Sequence, residues 1–348
     1  MKIGLIPENI FERLALTAGL VPTPLAESWF TFFLARTIMV ATKLGVFEAL
    51  ADSSLNVSEV ADRCDTESGA TGKLLNALVG VGLVRAKEER YALTPVARKW
   101  LLQNSAESVR DKILFQFIEW DWWTRCEDFI RSGAPFRIHE EMSGEQWQAY
   151  QRGMRSGIEP VVKEVTRRLR LPKNVKEMLD IGGSHGYWSV SFCRRYPALR
   201  ATILDLEAAI RYAVPILAKE NMGDRIVHRI GNALTDTLGV NAYDFVLIAS
   251  LVHHFDAATN RELMKKVAPA LRPGGLVAIF EPLRVSPSEK IGQIGGLLDL
   301  YFAMTSQAGT WSAEEMMSWQ REAGLIPRKT MRLRIARDVA VQAAVKPS

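Results

Sequence analysis

The fold of this chain is decided by residues 178–206, which read MLDIGGSHGYWSVSFCRRYPALRATILDL. An apolar strand ends at Asp180, and the glycine-rich turn GGSHG at 182–186 follows it. Glycine lets the backbone approach a ligand where a Cβ would intrude. An apolar helix and a second strand come next, and that strand ends in Asp205. The pattern predicts one half of a doubly wound nucleotide site, with Asp205 placed to accept hydrogen bonds from ribose hydroxyls.

Composition limits the classes of protein that this chain can be. Its 348 residues, 48% hydrophobic and 24% charged, are typical of a globular protein with one large domain or two. The net charge of +5 is too small to indicate nucleic-acid binding. Cys64, Cys126 and Cys193 lack metal-binding spacing, which predicts reduced thiols, no metal and a cytoplasmic location. Glu8 and Glu12 interrupt the apolar N-terminus, so neither a signal peptide nor a membrane span is expected.

Residues 1–104 are expected to form a mainly helical domain. Residues 10–50 are so apolar that a helix there must be buried, which predicts an interface with a second copy of the chain. Two short helices, then a strand, a charged turn and a second strand, follow in the pattern of a winged helix. Its second helix offers DNA only Lys73 and Asn76, so a DNA-binding regulator is the disfavoured alternative to a dimerisation module.

The remainder of the chain divides into two segments. Residues 105–175 are expected to be helical, and their tryptophans and tyrosines would form core or line an acceptor pocket. In residues 176–348 strands and helices alternate, which predicts an α/β fold with a doubly wound, mostly parallel, seven-stranded Rossmann-like sheet closed by an antiparallel hairpin. The strands are predicted at 177–182, 201–205, 225–230, 243–249, 276–281, 329–334 and 338–345. Capping boxes are predicted for two helices of this segment, at Thr259 with Glu262 and at Ser312 with Glu315.

The carboxyl ends of the strands supply the candidate site residues, because ligands of doubly wound sheets lie there. Asn232 follows the third strand and suits an adenine edge, although an ordinary loop asparagine fits equally well. His253 and His254 follow the fourth strand and cannot point the same way from an extended segment, so one is expected to be catalytic and the other to pack or cap. Glu281 ends the fifth strand, where a buried carboxylate needs a partner. His253 and Glu281 could therefore form a base and its orienting carboxylate, or else a structural ion pair or helix cap.

An ordered set of motifs resembles one enzyme family across nearly the whole chain. The motifs are LDIGGSHGYWS, ILDLEAAI, GNAL, LVHHFD, LRPGGLVAIFEP and WSAEEMMSWQREAGL. They resemble the S-adenosylmethionine-dependent small-molecule O-methyltransferases with a winged-helix-like dimerisation domain. That family includes plant caffeic acid O-methyltransferases and bacterial polyketide and phenazine methyltransferases. The resemblance implies a homodimer that binds S-adenosyl-L-methionine and methylates a hydroxyl of an aromatic or polyketide-like acceptor.

The resemblance also implies roles for individual residues. It implies that His253 is the general base and Glu281 its carboxylate partner. The cofactor-binding residues it implies are Asp180, Gly182, Gly183, Asp205, Leu206, Asn232, Ala233 and Ser250. Trp123 and Met154 match positions that contact the acceptor, and Asp299 and Thr310 are further candidates for the acceptor side.

Three positions depart from the family pattern. Asn232 stands where the family usually has aspartate, and His254 stands where aspartate often follows the base. The second carboxylate that commonly precedes the late helix is replaced by Thr310, and Asp299 is the candidate to substitute for it. A phenol has a pKa near 10, so a positioned base helps at neutral pH, whereas a carboxylic acid acceptor needs none.

Alternatives of other classes remain open at this stage. The altered carboxylates favour, as the main alternative, methylation of carbon, nitrogen or a carboxyl group. A further alternative is a decarboxylase, hydroxylase or pericyclase of the same fold that uses the cofactor structurally. A nicotinamide enzyme is disfavoured, because regular GxGxxG spacing and a Tyr-x-x-x-Lys pair are both missing. The expected partners are a small-molecule acceptor and a second subunit, with no nucleic acid and no membrane.

Overall fold

A computed structural model describes residues 3–284, 292–306 and 308–348. The chain divides into two compact units between Trp120 and Asp121. Helix α7, Arg110–Thr124, carries the chain from one unit into the next. Among the described residues no helix is both long enough and apolar enough to cross a membrane.

The first unit is helical with a small two-stranded wing. Its helices are α1 Ile10–Thr17, α2 Thr23–Lys43, α3 Val46–Ala49, α4 Val57–Cys64, α5 Ser68–Gly80 and α6 Pro95–Leu101. Strands β1 Val84–Lys87 and β2 Arg90–Leu93 pair antiparallel between α5 and α6, as the winged-helix pattern predicts. Phe47, Leu50, Leu75 and Leu78 are fully buried in the core of this unit.

Helix α2 exposes a group of aromatic side chains. Trp29, Phe30, Phe32 and Phe33 are 61%, 58%, 54% and 60% exposed within the single chain. The sequence predicts that this helix is buried, and one chain alone does not bury it. A contiguous apolar surface of this kind is typical of a protein interface.

The second unit begins with helices and continues as an α/β sheet. After α7 come α8 Cys126–Ser132, α9 Ile138–Glu141, α10 Gly144–Arg155 and α11 Glu159–Arg168. The strands are β3 Glu177–Ile181, β4 Arg200–Asp205, β5 Ile226–Ile230, β6 Tyr243–Ala249, β7 Leu271–Pro282, β8 Ile326–Pro327, β9 Met331–Arg332 and β10 Val339–Val345. Helices α12 Tyr187–Arg195, α13 Glu207–Ala218, α14 Ala257–Ala270, α15 Gln293–Thr305 and α16 Ala313–Glu322 lie between them in sequence. Two 3₁₀ turns, Gly223–Arg225 and Val252–His254, precede β5 and α14.

The sheet has the predicted doubly wound topology. Its strand order is β5-β4-β3-β6-β7-β10-β8, with β9 also paired to β10. Strands β3 to β7 are parallel, and β10 runs antiparallel to β7. Successive residues of β6 face two different cores, so both faces of the sheet are covered. The order in which strands are added to the sheet reverses between β3 and β6, and a ligand crevice is expected at the carboxyl ends of these two parallel strands.

The predicted strand at 329–334 is instead two short strands, β8 and β9. Pro327 has no backbone N–H to donate to the sheet. Between the two strands the Arg328 amide still donates to the Ala343 carbonyl at 2.7 Å, and the buried Gln342 side chain of β10 supplies the other hydrogen bonds. Its amide nitrogen donates to the Arg328 carbonyl at 3.1 Å, and its amide oxygen accepts from Thr330 Oγ1 at 2.6 Å.

The two predicted capping boxes have different outcomes. Ser312 and Glu315 form the predicted box at the start of α16. The box predicted at Thr259 is wrong, because α14 begins earlier. Asp256 caps that helix by accepting a hydrogen bond from the Thr259 amide at 2.7 Å. A carboxylate at the N-cap satisfies a free N–H and also opposes the helix dipole, which explains why the helix begins there.

Gly186 gives a test of how the turn after β3 is packed. It has φ +77°, and an added Cβ would lie 2.7 Å from Ile203 Cδ1 in the buried core. Gly223 also has positive φ, +57°, but an added Cβ would meet nothing within 4 Å. We expect Gly223→Ala to cost about 1–2 kcal/mol of unfolding free energy. Gly186→Ala should cost about 1–3 kcal/mol more, through overpacking. Urea unfolding of both variants measures this, and equal costs would contradict it.

Candidate active site

The turn after β3 brings backbone close to a buried carboxylate. Gly182 has φ +68° and Ser184 has φ +49°. At Gly183 the constraint is space, since an added Cβ would lie 2.5 Å from the Asp180 carboxyl carbon. Two glycines are therefore required here for different reasons, one for its backbone angle and one for a close approach.

Asp205, at the end of β4, ties its strand to this turn. Its Oδ2 accepts from the Ser184 amide at 2.9 Å, and its Oδ1 accepts from the Leu206 amide at 2.8 Å. Each carboxylate oxygen keeps a lone pair for a further donor, such as a hydroxyl. Burial raises the pKa of Asp205 to about 6. Leu206 itself is 53% exposed at the start of α13.

Two fully buried polar atoms near the turn have no hydrogen-bond partner among the described residues. Asp180 Oδ2 accepts from Ser189 Oγ at 2.7 Å, but Asp180 Oδ1 is unpaired. Gln151, on α10, accepts from the Ser184 hydroxyl, but its amide nitrogen is unpaired. Burying such groups without partners is costly. One free acceptor and one free donor match the ammonium and carboxylate of an α-amino acid.

The other residues predicted on the cofactor side lie at neighbouring strand ends. Asn232 Oδ1 accepts from the Leu234 amide at 2.9 Å, so its oxygen closes a local turn and its Nδ2 is the group left to offer a ligand. Ala233 and Leu234 are both partly buried and pack against the core that contains Leu204. Ser250 follows β6 with φ +52°, its side chain exposed, and its amide donates to the Phe280 carbonyl at 2.9 Å.

A buried pair, His253 and Glu281, joins the ends of β6 and β7. Glu281 Oε2 lies 2.8 Å from His253 Nδ1. Glu281 Oε1 accepts from the Leu251 amide at 2.7 Å and the Val252 amide at 2.9 Å. The two side chains are 3% and 1% exposed. The segment predicted to be extended is a 3₁₀ turn, Val252–His254, and this turn aims three consecutive donors at one carboxylate.

His254, the neighbouring histidine, contacts residues other than Glu281. His254 Nδ1 lies 3.0 Å from Ser306 Oγ, and the His254 ring packs at 4.9 Å, edge to face, against His139 of α9. Burial lowers the pKa of His139 to about 4 and the pKa of His254 well below its ordinary value. Both imidazoles are therefore neutral at pH 7.

Asp299 and Thr310 pair with each other. Asp299 Oδ1 accepts from the Thr310 amide at 3.1 Å and also from the Thr310 hydroxyl.

Within the described residues Glu281 is the one hydrogen-bond partner of the His253 ring. Trp123 is 39% exposed, with its ring 6.4 Å from that of Tyr301.

Two residues at the site have no sequence signal. Gln151 and His139 stand alone on helices with no motif around them, and only the tertiary structure brings them to Ser184 and His254. Met154, which the resemblance implies, lies about one turn along α10 from Gln151 and is partly exposed.

The doubly wound sheet, the acid after β4 and the buried histidine–carboxylate pair define an enzyme that uses a nucleotide-type cofactor. Residues 129–325 match the model of the O-methyltransferase domain, and residues 26–103 match the O-methyltransferase dimerisation domain. The chain belongs to the S-adenosylmethionine-dependent O-methyltransferase family, as the motifs indicated. It is an enzyme, its cofactor is S-adenosyl-L-methionine, and its dimerisation domain supports a homodimer.

Named relatives span different methyl acceptors. A 3-hydroxy-5-methyl-1-naphthoate 3-O-methyltransferase of Streptomyces sahachiroi is 26% identical over 93% of this chain and 95% of its own length. An N,N-dimethyltransferase of Streptomyces rimosus is 22% identical over 90% of this chain and 93% of its own. The structure of human N-acetylserotonin methyltransferase in complex with SAM aligns with a TM-score of 0.82, at 18% identity, over 98% of this chain and 99% of that one.

The titration of Asp180 gives a test of the buried site. Burial raises the pKa of Asp180 to about 7, so the folded protein binds its proton more tightly than the unfolded chain does. The contribution of Asp180 to the free energy of unfolding is therefore complete below about pH 4, and it is lost as pH rises from there to about 7. The total loss is about 1.4 kcal/mol per unit of pKa shift. As pH rises from 5 to 8, the stability of Asp180→Asn should increase relative to that of the wild type. Urea unfolding of the two cofactor-free proteins measures this difference.

Asp244 is the matched control, because its pKa is shifted in the opposite direction. Burial works against its ionisation, but hydrogen bonds from the amides of Glu177 and Lys176 and from Arg272 outweigh burial and lower the pKa of Asp244. Its contribution is present above pH 4 and lost in acid. Asp244→Asn should therefore be less stable than the wild type across pH 5–8. A stability difference for Asp180→Asn that does not change with pH would contradict the burial argument.

Proposed function

We propose that this enzyme transfers the methyl group of S-adenosyl-L-methionine to a hydroxyl of an aromatic or polyketide-like small molecule, with His253 as general base. The observation that carries the proposal is the 2.8 Å contact between His253 Nδ1 and Glu281 Oε2 at the carboxyl ends of β6 and β7. The names of relatives add support, because they include methyltransferases of a hydroxynaphthoate and of a tetracenomycin polyketide.

The geometry of the pair suits proton removal. Glu281 Oε1 already accepts two amide hydrogens, so the carboxylate cannot rotate without losing them. Its Oε2 accepts the His253 Nδ1 proton, which leaves Nε2 with a free lone pair on the opposite side of the ring. Nε2 can take the proton of an acceptor hydroxyl, and Glu281 then balances the charge of the imidazolium. The cofactor supplies a sulfonium methyl that is already electrophilic, so the protein's remaining task is alignment.

The glycine turn is proposed to hold the amino-acid end of the cofactor. Asp180 Oδ1 and the Gln151 amide nitrogen are the unpaired buried acceptor and donor there. They fit the cofactor's ammonium and carboxylate, and Gly182 and Gly183 leave room for the backbone to approach. Gln151 is an addition to the residues that the resemblance implies.

The nucleoside is proposed to lie across the next strand ends. Asp205 would accept from the ribose hydroxyls, next to Leu206. Asn232 and Ala233 would flank the adenine, with the Asn232 Nδ2 amide as the donor, while its oxygen already accepts from Leu234. Ser250, exposed at the end of β6, would face the same crevice.

The acceptor is proposed to lie between the base and an aromatic wall. Trp123 and Met154 would contact it, together with Phe302, whose ring is 4.1 Å from that of His253. Asp299 and Thr310 would shape the pocket by fixing the loop before α16. Because Thr310 cannot act as a carboxylate, the base would rely on Glu281 alone.

We further propose the division of labour along the chain that the sequence predicted. Residues 1–104 would form the dimerisation domain, with the exposed aromatic side chains of α2 at the interface. Residues 105–175 would supply acceptor contacts, and residues 176–348 the cofactor-binding domain.

Replacing the base tests the mechanism. We expect His253→Ala to lower kcat for a phenolic acceptor by about 10²–10⁴-fold, because no group then removes the hydroxyl proton. Affinity for S-adenosylmethionine should change little, since His253 is proposed to face the acceptor. Product formation from labelled cofactor and calorimetry of cofactor binding measure the two effects.

Glu281→Gln is the companion variant. Its amide oxygen can keep the two backbone hydrogen bonds, while its NH₂ group would face His253 Nδ1 and favour the wrong tautomer. We expect a loss of kcat comparable to that of His253→Ala. Undiminished turnover in both variants would overturn the role of the base, and a methylated carbon or nitrogen in the product would overturn the hydroxyl acceptor.

Asp205 tests the cofactor assignment. Asp205→Asn removes the charge and leaves one acceptor oxygen, so affinity for S-adenosylmethionine should fall by about 10–100-fold, the range for a hydrogen bond to a charged group. Asp224→Asn, at an exposed ion pair with Arg200, is the control and should leave affinity unchanged. Calorimetric titration at fixed pH distinguishes them, and equal affinities in all three proteins would refute the assignment.

A further inference from the structure

Three imidazoles form a continuous row in the catalytic unit. The rings of His253 and His254 lie 4.3 Å apart between centroids, and those of His254 and His139 lie 4.9 Å apart. They come from two segments more than a hundred residues apart in the sequence. The proposed mechanism uses only the first of them, so the other two need a separate explanation.

The two further imidazoles are half-buried, and the protein does not satisfy all of their nitrogens. Among the described residues His254 makes one side-chain hydrogen bond, to Ser306, and the ring of His139 makes none. Both side chains nevertheless keep some accessible surface, as residues that line a cleft do. A neutral imidazole carries one N–H donor and one acceptor nitrogen, and leaving these unpaired costs free energy unless a ligand or water meets them.

The surroundings of the row define what it can receive. His139 packs against the rings of Trp147 at 5.4 Å and Tyr150 at 5.3 Å, both on α10, and these two rings lie 5.7 Å from each other. On the other side lie His253 and Ser306, the residue after α15, with the Glu281 carboxylate behind His253. The titratable groups that face the two imidazoles are therefore His253, Tyr150 and, through His253, Glu281. Aromatic rings enclose the row, and its polar atoms are donors as much as acceptors.

We propose that His139 and His254 form an oxygen-binding subsite of the acceptor pocket. It receives a carboxylate or carbonyl oxygen on the same ring system as the hydroxyl that faces His253. This inference rests on the proposed function, and it narrows the acceptor to a hydroxyaryl compound with a second oxygen substituent. The centroids of neighbouring rings lie only 4.3 and 4.9 Å apart, so adjacent imidazoles are close enough to meet two substituents of the same aromatic acceptor. An acceptor without that oxygen would leave the imidazoles unpaired, and sites built to bind an oxygen reject analogues that lack it.

Binding to the complex with S-adenosylhomocysteine tests the subsite without turnover. The probes are 2-naphthol, 3-hydroxy-1-naphthoate, 3-hydroxy-2-naphthoate and the two corresponding carboxamides, titrated calorimetrically at pH 7.5. At least one oxygen-substituted probe should bind about tenfold more tightly than 2-naphthol, the value of one net hydrogen bond. His139→Phe and His254→Phe should reduce that preference to less than about twofold, by weakening the binding of the substituted probes without weakening that of 2-naphthol.

Two conservative variants separate binding from structure. His139→Gln and His254→Asn keep an N–H donor near the original position and should retain most of the preference. The carboxylate and carbonyl sources are also distinguishable. If a carboxylate is bound, an imidazole takes up a proton, and the binding heat depends on the buffer's ionisation enthalpy, whereas a carboxamide shows no such dependence. Either result supports the subsite.

Three results would overturn the subsite. In the first, 2-naphthol binds as tightly as every substituted probe. In the second, the preference survives in both phenylalanine variants. In the third, those variants lose affinity for 2-naphthol and substituted probes alike. Failure of the proposed function looks different. The predicted affinity pattern would then hold with S-adenosylhomocysteine, but no probe would be methylated when S-adenosylmethionine replaces it.

Discussion

The site depends most on the carboxylate of Glu281 and the three donors it holds. The amides of Leu251 and Val252 and the ring of His253 all point at this one side chain. An ionised carboxylate that is almost fully buried is stable only when its lone pairs are occupied, and here three consecutive residues occupy them. The same contact joins the ends of β6 and β7 and forces the chain after β6 into a 3₁₀ turn. The position of the proposed base is thus a consequence of satisfying a buried charge.

Other elements reinforce that turn from outside. The Val252 carbonyl accepts from the Trp311 indole nitrogen at 3.0 Å and from the side-chain Nδ2 of Asn260 at 2.9 Å. Trp311 follows Thr310, whose amide and hydroxyl are fixed by Asp299. Thr310 stands where the family commonly carries a second carboxylate, and in this chain its position still serves packing. A chain of contacts from α15 through the loop before α16 therefore supports the turn that carries the proposed base, without a second carboxylate on the His253 ring.

The side that is proposed to bind the cofactor follows a different physical rule. There the backbone supplies most of the contacts, and side chains are left partly unpaired. Asp205 is fixed by two amides and keeps free lone pairs, while Asp180 and Gln151 each keep one buried polar atom without a partner. A folded protein tolerates such groups where a ligand completes them. The sulfonium cofactor of this family brings an ammonium, a carboxylate and two ribose hydroxyls, and these fit the set of unpaired atoms.

The sheet, its order of elements and the residues at the strand ends could be predicted from the sequence. Apolar runs, glycines and terminal acids are local signals, and the periodicity of a strand or helix is written in consecutive residues. The sequence-based prediction was wrong at two places. Asp256 starts α14 earlier than expected, and the Gln342 side chain bonds the segment between the two short strands β8 and β9. Only the tertiary structure brought Gln151 to Ser184 and His139 to His254, since no local rule links residues so far apart. Which buried polar atoms stay unpaired, and so which groups can face a ligand, depends on packing among distant segments and was decided there.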